Sequence, residues 1–208
     1  MYLSVRSQFI PFNAQFEGRM RCMYLDTHEP PLVTTGVGNL IDPISEALTL
    51  PFFWKARPGQ PKATSAEIAA EWTRIKSKIT YIHFRPGIWD MLTELALDDA
   101  EIDTLVLDRA SKNELILKKR TPFAQFDSWP ADAQLGILSM SWAMGPGFNF
   151  PNFAASCSKR DFAGAAQQCQ MDDRSNPGLT PRNKANAILF NNAAKSPVPG
   201  QLYYPQIL

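Results

Sequence analysis

Phe9, Phe12 and Phe16 recur at spacings of three and four, the period of one helix face, and Gly18 follows as a stop. Pro11 suits a first helical turn, so the pattern predicts a short helix with Glu17 in its last turn. The period then shortens. Met23-Tyr24-Leu25 and Leu32-Val33-Thr34-Thr35 are β-compatible runs. His28-Glu29-Pro30-Pro31 between them is turn material, and Gly36-Val37-Gly38-Asn39 follows. Residues 19–41 therefore predict a small antiparallel β lobe.

Prolines at 43, 51, 58 and 61 make 42–62 an extended loop, with a turn of helix around Ile44–Leu48. Between Pro61 and Pro122 only Pro86 intervenes, so long helices fit there. Thr64-Ser65-Ala66-Glu67 reads as a capping box, and Ile68, Trp72, Ile75, Ile79 and Ile82 continue as an amphipathic helix. Pro86-Gly87 breaks it. A second helix is predicted over Trp89–Ala96, and a third opens at Asp98-Asp99-Ala100-Glu101 and continues through Ile102, Leu105, Val106 and Arg109. Ala131–Met144 is apolar nearly all round, the signature of a central buried helix, and Gly145-Pro146-Gly147 stops it. Further helices fit Asn152–Ser158 and Arg160–Cys169, and a last one capped by Thr180-Pro181 runs through Phe190. The class that results is α+β and mostly α-helical. It forms one domain over 1–208, with a helical body at about 91–192 and an irregular tail at 193–208.

Composition adds exclusions. A globule of 208 residues buries roughly 70% of its unfolded surface and needs no disulfide or metal staple. The formal net charge of +1 argues against a nucleic-acid partner held by bulk electrostatics. The longest basic run, Lys118-Lys119-Arg120, reads as a solvated helix end open to an anionic wall. The three cysteines, Cys22, Cys157 and Cys169, form no CxxC pair and read as reduced thiols, with a Cys157–Cys169 bridge reserved for an oxidising compartment. His28 and His83 are the only histidines and lie far apart, a poor basis for a metal site or a Ser-His-Asp triad. No stretch is apolar for the length of a membrane span, and the first residues carry no secretory signal pattern, so a cytoplasmic origin without membrane insertion is expected.

Two carboxylates facing each other across a cleft are the minimal apparatus of glycoside hydrolysis, one protonated to serve the leaving oxygen and one ionised. Glu17 at a helix end and Asp26 nine residues on provide such a pair, although spacing alone leaves them two acids among 20. Gly36-Val37-Gly38 lacks the third glycine of a dinucleotide fingerprint. Asp98, Asp99, Glu101 and Asp103 lack calcium-loop order and read as helix caps, and Asp172-Asp173 has no partner ligands in sight. No metal or organic cofactor is expected.

The ordered series Glu17-Gly18, Tyr24-Leu25-Asp26 and Thr34-Thr35-Gly36-Val37-Gly38-Asn39 closely resembles the hallmark of the bacteriophage T4-type lysozymes, in the lysozyme-like superfamily. That hallmark is Glu-Gly, Tyr-x-Asp and Thr-x-Gly-x-Gly-His. Asn39 replaces the histidine and puts a structural ion pair of the family in doubt. Asp98–Leu107, Gln134–Gly145, Lys159–Ala166 and Gly178–Phe190 are similar to later helices of the family, whereas 42–90 matches poorly and reads as an insertion.

The resemblance implies a lysozyme-like fold with its cleft between the β lobe and the helical body. It implies a muramidase cleaving the β-1,4 bond between N-acetylmuramic acid and N-acetylglucosamine. Glu17 would be the general acid, Asp26 the ionised partner and Thr34 a hydrogen-bonding partner of the water, with inversion at the anomeric carbon. Leu40, Trp142 and Gln168 fall near positions that line the family's sugar cleft; core packing serves equally for Trp142, and a solvated helix face for Gln168. Phe52-Phe53-Trp54 stacks sugars or, more commonly for such a cluster, pins a loop. The rivals are a lytic transglycosylase, which needs the Glu without the Asp and Thr, and a non-catalytic wall-binding module. The expected partner is the peptidoglycan glycan strand, met in the periplasm by a monomer. A pore would deliver a phage endolysin there, and a secretion machine an antibacterial effector; an immunity protein follows only in the effector case.

Overall fold

A computed structural model of the chain describes all residues except His28, 57–61, 79–85, Ser175 and 196–197. Among the described residues it is about 57% helical with two small antiparallel sheets, an α+β chain dominated by helix. Its contacts group it into two compact units, Met1–Phe16 with Leu107–Leu208, and Glu17–Val106.

The first unit is helical. Its elements are α1 (Leu3–Glu17, as far as Phe16), α5 (Asp99–Lys118, from Leu107), α6 (Ala131–Met144), α7 (Pro151–Ser158), α8 (Phe162–Gln168) and α9 (Leu179–Ala194), with 3-10 turns at Thr121–Phe123 and Phe126–Ser128. Helix α6 has the predicted bounds, and every residue from Ala131 to Ser141 is buried. It packs on α9 through Gly136, where a Cβ would lie 2.9 Å from Phe190 Cζ. Gly136→Ala should therefore cost about 1–3 kcal/mol of overpacking, against a helix-propensity gain of about 1 kcal/mol. Urea titration is expected to show a lower midpoint with an unchanged m-value.

Polar groups inside this unit are tied to partners. The guanidinium of Arg182, 1% exposed, donates to Asn13 Oδ1 (2.7 Å) and Ser139 Oγ (3.2 Å) and sits 4.7 Å from the Phe16 ring. The fully buried Asp132 carboxylate accepts from Asn192 Nδ2 (2.9 Å) and from the backbone N–H groups of Tyr203 (2.9 Å) and Tyr204 (3.1 Å). The tail is irregular, as expected, yet anchored. Tyr204 also packs edge-on to Phe12, and Ser4 Oγ donates to the Gly200 carbonyl.

Several boundaries differ from the pattern. Helix α1 starts six residues earlier than Phe9 and carries Pro11 inside, because Val5 extends the buried stripe of Phe9 and Phe12 by another turn. The Thr180 hydroxyl donates to Asp173 Oδ2 (2.7 Å), so it does not cap α9, which starts at Leu179 and continues to Ala194. Arg160 adopts φ +57° and ends α7, and Asp161 caps α8 by accepting from the Gly164 N–H (2.8 Å). The basic run closes α5 at Lys118, and of its three residues only Lys119 is exposed. Lys118 pairs with Glu114 and Asp127, and Arg120 donates to the carbonyls of Pro146 (2.8 Å) and Phe148 (2.7 Å) while stacking 4.8 Å from the Phe123 ring.

The second unit carries β1 (Met20–Leu25), β2 (Val33–Gly36) and β3 (Asn39–Leu40) in one antiparallel sheet of that order. It also holds α2 (Ile44–Ala47), β4 (Phe53–Trp54), α3 (Ser65–Lys76), α4 (Pro86–Leu92), β5 (Leu95–Ala96) and the start of α5. The capping box of α3 is present: Thr64 N–H donates to Glu67 Oε2 (2.7 Å), and Glu67 N–H donates to Thr64 Oγ1 (3.3 Å). Ile79 and Ile82 lie outside the described residues. Pro86 begins a helix instead of only breaking one, and Leu95-Ala96, expected as helix, pairs antiparallel with Phe53-Trp54. The buried Glu71 carboxylate explains the change, because it accepts the backbone N–H of Glu94 (2.7 Å) and of Leu95 (3.4 Å). Phe52 is fully buried beside this pairing and pins the loop.

Candidate active site

The β1–β2–β3 sheet organises the candidate site. Tyr24 stands opposite Thr34, and Thr34 opposite Leu40, so these three share one face. Leu25 pairs with Val33, and Val33 accepts from the Ile41 N–H; these three are buried on the other face. Asp26 follows Tyr24 by two and continues the first face. The Asp26 backbone N–H donates to the Leu32 carbonyl (3.0 Å), and Asp26 Oδ1 accepts from the Leu32 N–H (2.9 Å), which closes the hairpin around the carboxylate. Thr34 is 4% exposed, and its single hydroxyl proton is shared between the Leu32 carbonyl (3.3 Å) and Asp26 Oδ2 (3.5 Å).

Glu17 is the last residue of α1, and Gly18 leaves the helix at φ +72°. The Glu17 carboxylate lies on Gly38, which has φ +71°; a Cβ at residue 38 would meet Glu17 Oε2 at 3.1 Å. Gly38 is thus required twice, for its left-handed backbone and for the room it leaves the acid. Arg19 fixes the segment after Glu17. Its guanidinium donates to Asp99 Oδ1 (3.0 Å), the Asp99 carbonyl (2.8 Å) and Asp103 Oδ1 (2.8 Å). Asp98 caps α5, accepting from the Glu101 N–H (2.8 Å), while Asp99 and Asp103 serve Arg19.

Burial pushes the Tyr24 phenol well up, and the neighbouring carboxylates of Glu17 and then Asp26 push it further, with the facing Gly38 N–H acting the other way. A neutral phenol therefore stands close to both acids. The motif included Tyr24 without giving it a task; its strand position, two before Asp26, is the signal that places it on the acids' face. Asn39 is fully buried, and its Oδ1 accepts from the Val37 N–H (3.1 Å), so a neutral turn-forming amide stands where an ion pair was in question.

Of the six sequence-predicted residues, Glu17, Asp26, Thr34 and Leu40 fall within Glu17–Val106. Trp142 and Gln168 belong to the helical unit. Trp142 is half-buried and packs edge-on to Phe9 (5.3 Å), and Gln168 is exposed at the end of α8. Cys22, Cys157 and Cys169 are buried and unbridged, and burial pushes each thiol up, Cys169 to about 11. No group of three or more His, Cys, Asp or Glu among the described residues is placed to hold a metal ion. Neither a protein-family model nor a curated protein sequence matches this chain.

Proposed function

We propose that this chain is a peptidoglycan muramidase of the T4-type lysozyme kind, with a lysozyme-like fold and its reacting groups at the end of α1 and on the β1–β2 hairpin. The supporting observation is the gathering of Glu17, Tyr24, Asp26 and Thr34 around one hairpin, with Glu17 seated on Gly38 and Asp26 bonded across the strands. In this reading Glu17 gives its proton to the glycosidic oxygen as the C–O bond breaks. Asp26 takes a proton from the attacking water, and the sugar leaves as an inverted hemiacetal. Thr34 orients Asp26 and the water, and Leu40 borders the same face. Trp142 and Gln168 remain proposed sugar contacts. Asp26 and Thr34 favour hydrolysis over transglycosylation, which needs neither. The setting that fits is action on the periplasmic wall after delivery as an endolysin or an effector. No helix among the described residues is long and apolar enough to cross a membrane.

Mass spectrometry of muropeptides after digestion tests the reaction. Reducing muramic ends are expected; 1,6-anhydro ends would indicate a transglycosylase, and absence of products a binding module. Gly38→Ala is expected to cost about 1–2 kcal/mol in backbone strain and to reduce the release of reducing ends by about tenfold or more, because a 1 Å misplacement of a reacting group is enough for that. Wild-type turnover in that variant would show that Glu17 does not depend on its seat.

A further inference from the structure

Helix α7 ends in a Schellman-type turn: the Arg160 N–H donates to the Cys157 carbonyl (3.0 Å) and the Asp161 N–H to the Ser156 carbonyl (2.9 Å). Glycine is usual at the left-handed position of such a turn, yet Arg160 occupies it, at φ +57°. It is the one non-glycine residue with positive φ among the described residues. Strain of this kind gathers at binding sites, where the side chain it aims has a task.

Arg160 borders a cavity of about 360 Å³ that lies wholly within the helical unit. Ser128, Trp129, Asp161, Phe162 and Ala194 are among its walls. The guanidinium uses two of its five N–H groups on Ser128, donating to its hydroxyl (2.7 Å) and its carbonyl (2.9 Å). That grip leaves three donors without a bond among the described residues. Asp161 is similarly half-committed, with one oxygen on the Gly164 N–H and the other without a bond among the described residues. The lining also includes Ala163 and Ala194, small and exposed, beside the nearly buried Phe162. A cation with spare donors, an acceptor one residue away and the small side chains of Ala163 and Ala194 form a definite pattern. It matches a molecule with a carboxylate, an N–H donor a few atoms back, and a small side chain between them.

We propose that this cavity binds the free C-terminus of a peptide whose last side chain is small. The carboxylate docks on Arg160, the last amide N–H donates to Asp161, and the terminal methyl packs on Ala163 and Ala194. The site stands independently of the muramidase reading, since its walls lie outside the unit that carries Glu17 and Asp26.

The test is titration of the ¹⁵N-labelled full chain with N-acetyl-D-alanyl-D-alanine, its L,L enantiomer and sodium acetate, following the Trp129 indole and the amides of residues 160–163. Saturable shifts with either dipeptide are expected, at concentrations where acetate gives none. A preference for the D,D form identifies bacterial wall peptides as the source, and a preference for L,L identifies ribosomally made chain ends. Arg160→Gly relieves the backbone, so it should keep the fold while weakening binding by roughly tenfold or more, the loss expected for a charge-assisted pair. Ala163→Trp at this exposed position should block the cavity with Arg160 intact. Equal shifts with acetate would reduce the site to a bare anion contact and overturn the proposal. So would no shifts at all, or undiminished binding in both variants.

Discussion

Glu17→Gln is expected to abolish the loss of turbidity of a peptidoglycan suspension, with a fall of about 10³-fold or more and no change in circular dichroism or melting temperature. A general acid contributes about 10²–10⁴-fold when it is aligned with the departing oxygen. The amide is nearly isosteric, so the seat on Gly38 stays filled. What disappears is the transferable proton. Tyr24 and Asp26 keep their places, since they are fixed by strand register and by the Leu32 N–H instead of by Glu17. The loss should therefore appear in kcat with little change in KM. Retention of most of the lytic rate would remove Glu17 from the chemistry and, with it, the muramidase reading of the hairpin.

The largest expected loss of stability is at Asp132→Ala, about 3–4 kcal/mol. Three N–H groups, from Asn192, Tyr203 and Tyr204, point at a carboxylate that is fully buried. Removing it strands all three donors, and hydrogen bonds to a charged group are worth about 1.5–3 kcal/mol each before non-additivity. The edge-on contact of Tyr204 with Phe12 should loosen at the same time, because the same backbone segment carries the ring. Urea unfolding measures the loss, and carboxypeptidase release of residues 203–208 from the folded variant locates it. A change under 1 kcal/mol would mean that the tail is held by its other contacts, such as Ser4 on the Gly200 carbonyl and Tyr204 on Phe12.

How much of this was legible in the sequence varies with the physical source of each signal. Helix α6 was read to its exact ends because continuous burial and a glycine stop are both local. The capping box of α3 was legible for the same reason, since donor and acceptor lie three residues apart. Strand β5 was not. Leu95-Ala96 continues the apolar run of a helix, and only Glu71, 23 residues earlier, takes up the Glu94 N–H and frees the segment to pair with Phe53-Trp54. Arg120 was misread because its carbonyl partners, Pro146 and Phe148, are equally remote in sequence. In the candidate site, the pattern supplied Glu17, Asp26 and Thr34. It could not supply Arg19, whose acidic partners lie 80 and 84 residues away, or the burial that keeps the Tyr24 phenol neutral near both acids.

The tethering of the first helix to residues near the other end of the chain bears on how the protein is made. Arg182 reaches Asn13 across 169 residues, and Gly200 reaches Ser4 across 196. During synthesis, the strands that pair in the β1–β2–β3 sheet, all within residues 20–40, emerge long before those partners of α1. Helix α1, with Glu17 at its last position, gains these two partners only after residues 182 and 200 have emerged. Under the muramidase reading, the helix that ends in the general acid is therefore fixed later than the hairpin that carries Asp26.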